Sequence, residues 1–390
     1  MNTSAYDTVD ALLDLEGRIS SEDRAWGERA AAVAAEVVRP TIDADFEEAR
    51  FRSEIIPAFA DAGLLGMHLD APGCAGASPT AYGLACAAIE AADSGWRTLV
   101  SVQGSLAMTA IDRFGSERQR ETLLPEMAAG RLLGCFALTE PQGGSDPGAM
   151  TTVAVRDGAD WVISGVKRWI GLASVADIAI VWAKTAEGIR GFVVPTDAVG
   201  FTATPILLKH AMRASIQCDV SLDAVRVPSD AVLERSQGLR SPLTCLNEAR
   251  FGIAWGVMGV ARECLALSVE YAGRRQSFGT ELAGKQLVQA RLAEMMLAYQ
   301  GGMLTAIHLA ERKAAGRMQP AQVSIAKLGN VRAAIAVARS ARELLGGDGV
   351  TAEYPVMRHM ANLEAVRTYE GTDDIHALSI GRALTGVAAF

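Results

Sequence analysis

TTVAVRDGADWVISG, residues 151–165, reads as two strands folded about Asp157-Gly158. Apolar and polar residues alternate on either side of the dipeptide, the period of a half-buried strand. Asp-Gly between such runs signals a hairpin, because glycine accepts the positive φ that a two-residue turn demands. Further strand-like runs follow: DIAIVWAK (177–184), IRGFVVP (189–195) and CDVSLDAVRVP (218–228). Upstream of about residue 134 the texture is helical. Trp26, Ala30, Val33 and Val37 recur at helical spacing, with Ser20 and Asp23 spaced as a capping box and Pro40 as a break. Helical stretches are expected over Ile55–Leu65 and Thr80–Asp93, separated by the turn-rich DAPGCAGASP (70–79). Downstream, Ser241-Pro242 suits an N-cap and first helical position. Helix then continues to about Glu343, interrupted by the polar GRRQSFGTELAGKQ (273–286). The expected organisation is a helical domain over 1–133, a β-domain over 134–236 and a helical domain over 237–390.

Composition narrows the function classes. Half of the 390 residues are apolar, so a large core is expected. The longest uncharged apolar candidate, Phe251–Ala261 between Arg250 and Arg262, is too short to span a bilayer and reads as buried helix. The start, MNTSAYDTVD, has neither a basic region nor an apolar one, so no secretory signal and no membrane partner are expected. The six cysteines, at 74, 86, 135, 218, 245 and 264, form no CxxC pair. They suit small buried side chains in a reducing cytoplasm. The five histidines are isolated and no metal site is expected. A net charge of −8 disfavours nucleic acid as a partner.

Three segments are rich in small and polar residues: CFALTEPQGGSDPGAM (135–150), GRRQSFGTELAGKQLVQ (273–289) and LLGGDGV…TYEGTDDIHALSIGRALTG (344–386). Gly143-Gly144-Ser145 is either a plain turn or a set of backbone amides that cradles a phosphate. LGGDG is either a helix C-cap or part of a site. No GxGxxG follows a strand, so a Rossmann site is disfavoured.

In this order the segments resemble the acyl-CoA dehydrogenase family, and within it glutaryl-CoA dehydrogenases most closely. The strings that carry the resemblance are GCFALTEPQGGSDP, CLNEARFGIAWGV, NLEAVRTYEGTDDIHAL and IGRALTG, and it covers almost the whole chain. It implies a mostly α fold with an N-terminal helical domain, a middle β-barrel-like domain and a C-terminal four-helix bundle, assembled as a homotetramer. It implies an FAD-dependent enzyme that removes hydrogens from the α and β carbons of an acyl-CoA thioester. Glu370 would be the base that takes the α-proton. Some relatives place that base just before the arginine of the bundle's first helix, but here Ala249 precedes Arg250.

FAD contacts carry over to Phe136, Leu138, Thr139, Gly144, Ser145, Trp169, Ile170, Gly171 and Thr372. Arg275, Phe278, Gln286 and the Glu343–Gly347 turn, with Gly346, would reach the FAD of a neighbouring subunit. Substrate contacts carry over to Ser145, Asn247, Arg250, Tyr369 and Gly371. Arg97 matches the arginine that binds a distal substrate carboxylate, with Glu90, Thr98 and Tyr369 as its polar neighbours. One helix would place Glu90 two turns from Arg97.

One departure stands out. The family usually shows WITN or WISN where this chain has Trp169-Ile170-Gly171-Leu172. The missing hydroxyl normally bonds flavin N5, and some acyl-CoA oxidases of this fold share KRWIG. Two electron acceptors therefore stay open, an electron-transfer flavoprotein or O₂. A non-catalytic or nucleic-acid-binding relative is the third reading, opposed by Glu370 and the acidic balance.

Overall fold

The computed structural model describes residues 4–15 and 17–389. Residues 1–3, 16 and 390, which the domain division also covers, lie outside them. Ser4 and Ser20 open α1 (Ala5–Leu13) and α2 (Ser21–Val33), each accepting from the amide three residues on. At Ser20 the box is not reciprocal: Asp23 binds two hydroxyls instead, Ser20 Oγ at 2.7 Å and Ser78 Oγ. A π-helical turn, Ala34–Val38, extends α2 to the break at Pro40. Next come α3 (Ile42–Glu47) and α4 (Ile56–Asp61), the latter shorter than the expected Ile55–Leu65 stretch.

Helix α5 spans Pro79–Glu90 and α6 spans Ser94–Val100. They are two helices rather than one because Asp93 takes extended backbone and caps α6, accepting from Gly95 N at 2.7 Å. Helix α6 continues as a π-helical segment, Ser101–Met108, into α7 (Thr109–Phe114), and α8 (Glu117–Ala128) follows.

The middle of the chain is a curled sheet of β1 (Gly134–Ala137), β2 (Val153–Asp157), β3 (Asp160–Gly171), β4 (Ile178–Thr185), β5 (Gly188–Pro195), β6 (Phe201–Pro205) and β7 (Gln217–Pro228). Its order is β1-β4-β2-β3-β7-β6, with β5 paired to β4. Asp157 pairs with Asp160 across the expected hairpin, and Gly158 takes φ +63° there. Two irregularities interrupt the β3–β7 register, one between Ile163 and Gly165 and one between Lys167 and Ile170. The second positions part of the site.

The C-terminal helices are α9 (Arg240–Arg274), α10 (Gln286–Ala314), α11 (Pro320–Leu344), α12 (Val356–Val366) and α13 (Asp373–Thr385). A small hairpin, β8 (Gln276–Ser277) with β9 (Thr280–Glu281), joins α9 to α10. Helix α9 starts before Ser241. Its N-cap is Leu239, and the Ser241 hydroxyl turns back to accept from Gln237 N at 2.8 Å. Every residue of Phe251–Ala261 is buried. Helix α9 is long and apolar enough to cross a membrane, yet 83% of its most apolar window is buried inside the protein, as in a central core helix. Each large apolar side chain buried there, such as Trp255 or Met258, contributes about 1.5–3 kcal/mol.

Candidate active site

Glu370 sits in the turn between α12 and α13. Thr368 N and Tyr369 N both donate to Ala365 O, at 2.9 and 3.0 Å, and finish α12. The Thr372 hydroxyl accepts from Ile375 N at 3.4 Å and opens α13. Between these caps Glu370 takes φ +55° and Gly371 φ +98°. The left-handed region costs a side-chain-bearing residue about 1–2 kcal/mol, so something must hold Glu370 there. Arg250 Nε donates to Glu370 O at 2.7 Å, and Lys327 Nζ donates to Gly371 O at 2.6 Å and to Tyr369 O. Gly371 has no room for a side chain, since a Cβ would lie 2.9 Å from His376 Nε2.

The Glu370 carboxylate faces a buried polar cluster. Its Oε2 is enclosed and has no hydrogen-bond partner among the described residues. Arg97 and Glu90 are both fully buried, 0% exposed, and meet across the α5–α6 corner, Nε to Oε2 at 2.8 Å. Arg97 Nη2 donates to Tyr369 Oη at 2.5 Å, while Arg97 Nη1 and Glu90 Oε1 have no partner. Thr98 Oγ1 donates to Ser94 O at 2.8 Å, and Asn247 Oδ1 accepts from Arg250 Nη1 at 3.1 Å. A buried guanidinium with an unused N–H pair is a built receptor for an oxygen anion.

The same burial tunes the acid–base groups. Burial raises the Glu370 carboxyl above the usual carboxylate range; Arg97, Lys327 and Arg250 pull it back, and Glu90 pushes it further up. Burial likewise raises Glu90, against the pull of Arg97. For Arg97 burial opposes the charge, but Glu90 and Tyr369 hold its pKa well above normal. Burial pushes the Lys327 ammonium down to about 7, with Glu370 opposing. A desolvated carboxyl of this kind suits proton abstraction from a weak carbon acid.

A second set of residues comes from the sheet. Between Lys167 and Ile170, Arg168 and Trp169 stand opposite Asp219 alone, the two-against-one count of a β-bulge. Arg168 N donates to Thr139 O at 2.8 Å, so the bulge docks on the end of β1. Trp169 takes φ +63° and its indole turns outward, 51% exposed, with the Arg168 guanidinium 5.0 Å from its ring centroid. Phe136, Leu138 and Ile170 are buried, and the Phe136 ring packs on Trp182 at 5.8 Å. Beneath the following loop Lys167 Nζ binds Glu140 Oε1 at 2.9 Å and Leu138 O at 3.1 Å. Glu140 also accepts from Thr151 N at 2.6 Å and Thr152 N at 3.0 Å, which pins both ends of the loop. Gly144 and Ser145 are left exposed at its tip, and a Cβ on Gly144 would meet no atom within 4 Å. Gly143 N donates to Glu140 O at 3.2 Å, so the tip is a turn. An outward indole and an exposed Gly144-Ser145 tip fit a flat aromatic ring and its phosphate.

A third set lies elsewhere. Arg275 ends α9, Phe278 is 97% exposed on the β8–β9 turn, and Gln286 begins α10. Glu343 pairs with Arg291 at 3.3 Å, and Gly346, at φ +61°, closes α11 ahead of Gly347. Glu343 stands sixteen residues along α11 from Lys327, about 24 Å at 1.5 Å per residue. The third set and the Glu370 cluster therefore do not meet within one chain. Among the described residues no group of His, Cys, Asp and Glu is placed to hold a metal ion.

Sequence reading overlooked Lys327. The available signal was a lysine on the apolar stripe of α11, with Val323, Ala326, Asn330, Val331 and Ala334 as its buried companions. Gly256 was overlooked too. A Cβ there would lie 1.9 Å from Glu90 Oε2. Gly256→Ala should therefore break the Glu90–Arg97 contact and destabilise the fold by about 1–3 kcal/mol, read as a lowered midpoint in denaturant unfolding.

Family models match nearly the whole chain. "Acyl-CoA dehydrogenase, N-terminal domain" covers residues 20–131, "Acyl-CoA dehydrogenase, middle domain" 135–225 and "Acyl-CoA dehydrogenase, C-terminal domain" 236–385. The chain belongs to the acyl-CoA dehydrogenase family. Human mitochondrial short-chain specific acyl-CoA dehydrogenase is 34% identical over 325 residues, 82% of this chain and 79% of that one. An acyl-CoA dehydrogenase of Bacillus subtilis (strain 168) is 31% identical over 370 residues, 93% of this chain and 96% of that one. A crystal structure of glutaryl-CoA dehydrogenase from Mycobacterium smegmatis is 52% identical, covering 98% of this chain and 99% of that one with a TM-score of 0.96. A glutaryl-CoA dehydrogenase from the same organism, solved in complex with FADH2, is 48% identical over 100% of both chains with a TM-score of 0.97. This acyl-CoA dehydrogenase family member is an oxidoreductase, and its three-part fold is the family's.

Proposed function

We propose that this protein is an FAD-dependent dehydrogenase of an acyl-CoA whose acyl tail carries a carboxylate or another oxygen-bearing group. The observation that carries the reading is the buried Arg97 Nη1, which has no partner among the described residues and belongs to the guanidinium whose charge acts on the enclosed Glu370 carboxylate. Glu370 takes the α-proton of the thioester, and Arg97 holds the tail so that the α-carbon faces that carboxylate. FAD, when bound, supplies the two-electron acceptor for the β-hydrogen. Trp169 offers its exposed indole to the ring system, and the Gly144 and Ser145 amides face the phosphates. Arg275, Phe278, Gln286, Glu343, Gly346 and Gly347 serve the FAD of a neighbouring subunit in a homotetramer, in keeping with their distance from Glu370. With a glutaryl tail, loss of CO₂ would follow. Anaerobic mixing of the oxidised holoenzyme with glutaryl-CoA and with butyryl-CoA tests the tail. Glutaryl-CoA should bleach the flavin at least about tenfold faster, the scale of one charge-assisted contact; equal rates would remove the carboxylate pocket.

The favoured acceptor is an electron-transfer flavoprotein. A second reading, in which O₂ takes the electrons, rests on Gly171. Its backbone is outside the left-handed region, although its neighbours Trp169 and Leu172 take φ +63° and +67°. A Cβ at 171 would meet only Val102 Cγ2, at 3.3 Å, and Ile216 O, at 4.0 Å. The backbone therefore accepts a Cβ with a small shift of Val102, so glycine is not imposed here by backbone conformation. Under this reading Gly171→Thr should lower the ratio of O₂-driven to dye-driven turnover. A wild type that is already slow with O₂ would end the reading.

A further inference from the structure

The Glu370 turn is held through its peptide groups, and one side chain holds two of them. Lys327, on α11, donates from a single ammonium to Tyr369 O and to Gly371 O, the carbonyls on either side of the Glu370 residue. It is 1% exposed and stands on the buried stripe of α11, and among the described residues no carboxylate is hydrogen-bonded to it. A buried lysine that makes no ion pair is costly unless it does something for its neighbours. Here the two carbonyls bracket a residue that occupies the left-handed region, so the ammonium fixes the backbone that sets the Glu370 carboxylate within reach of the Arg97 and Arg250 charges. It also brings a positive charge close enough to act on that carboxylate. We propose that Lys327 is a positioning residue for Glu370, clamping the peptides on both sides of the base and stabilising its anionic form. The proposal rests on the reading of Glu370 as the base.

The charged and titratable groups around Glu370 are known from each element packed on it. Glu90 comes from α5, Arg97 from α6, Arg250 from α9 and Tyr369 from the turn itself. From α13 come His376, whose ring burial holds down to about 3 and so leaves neutral, and Asp373, which is paired to Arg332 and Arg367. Arg97 and Arg250 remain in place when Lys327 is replaced, so the effect expected is a partial one. The sign is fixed. Removing a cation makes the Glu370 anion less stable, so its proton is held to higher pH. The acid limb of flavin reduction must then move upward.

The test uses FAD-loaded full-length Lys327→Met, Lys327→Gln and Lys327→Arg, with anaerobic flavin reduction by glutaryl-CoA followed across pH, or by butyryl-CoA if that reduces the wild type faster. Flavin content and unfolding midpoints report the fold. Both neutral variants should move the acid limb up by about one unit, the lower end of what a nearby opposite charge does. Lys327→Arg should keep the limb close to wild type. A neutral variant that folds and titrates as the wild type does would overturn the proposal. So would failure of the variants to fold at all, which would assign Lys327 to the core alone. Glu370→Gln separates the two readings. If it reduces at the wild-type rate, the base assignment itself is lost; if it is dead while Lys327→Met is unshifted, only the role of Lys327 is lost.

Discussion

Glu370→Gln is expected to keep the fold and the FAD while slowing reduction of the flavin by substrate by about 10²–10⁴-fold, the scale of a lost general base. The backbone at this position is secured through carbonyl oxygens by Arg250 and Lys327, none of which depends on the side chain. Glutamine has the same length and tolerates φ +55° no worse than glutamate, so a drop in activity reports chemistry rather than collapse. Glu90 is tied to Arg97, and the residue before Arg250 is Ala249. The wild type should also show a characteristic acid limb. The Glu370 carboxyl is raised by burial, so it holds its proton to higher pH than an ordinary glutamate and becomes a base only above that point. The reduction rate should therefore fall as pH drops through this raised value, and Glu370→Gln should lose that limb along with the rate. Stopped-flow absorbance under anaerobic conditions checks both. Bleaching at a near wild-type rate in Glu370→Gln would move the base to another residue.

The strand signals were legible because they are local. Asp157-Gly158 needs only its own turn, and the hairpin closes there with Asp157 opposite Asp160. The Ser241-Pro242 start was misplaced because the hydroxyl had a competing partner, Gln237 N, that only the folded chain brings within reach. The Glu90–Arg97 contact was named correctly but for the wrong geometry. Sequence spacing suggested a partner two helical turns away, whereas Asp93 bends the chain and the pair closes across the corner. The outward turn of Trp169 was not readable either, since it depends on a bulge counted against Asp219 on a strand some fifty residues later. Lys327 was hidden for the opposite reason. A single lysine on a helix is usually solvated, and nothing near it in sequence reveals the two carbonyls it binds more than forty residues away.

Arg97→Met should cost carboxylate-tailed acyl-CoAs far more than plain ones. Loss of a desolvated charge-assisted contact costs about 2–5 kcal/mol, or roughly 30- to 5,000-fold in kcat/KM. Two side effects accompany the substitution, and both can be separated from it. Glu90 loses its cation in a fully buried position, and its carboxyl, already raised by burial, should hold its proton to still higher pH. That limits the damage to folding but lowers the unfolding midpoint. Arg97 is also the strongest of the cations that hold the Glu370 carboxyl down, so Arg97→Met should raise the acid limb of flavin reduction for every substrate. A ratio of kcat/KM for glutaryl-CoA over butyryl-CoA, taken well above that limb, cancels both effects because they act on the enzyme and not on the tail. The ratio should fall by at least the lower figure. Tyr369 provides a control on geometry. Its hydroxyl accepts from Arg97 Nη2, so Tyr369→Phe removes a partner of the guanidinium while leaving its charge and its free Nη1 in place. Tyr369→Phe should keep most of the preference for the carboxylate tail. Loss of equal activity toward both thioesters in Arg97→Met would mean that the guanidinium serves the Glu90 and Glu370 cluster alone, and that the tail is recognised by other side chains.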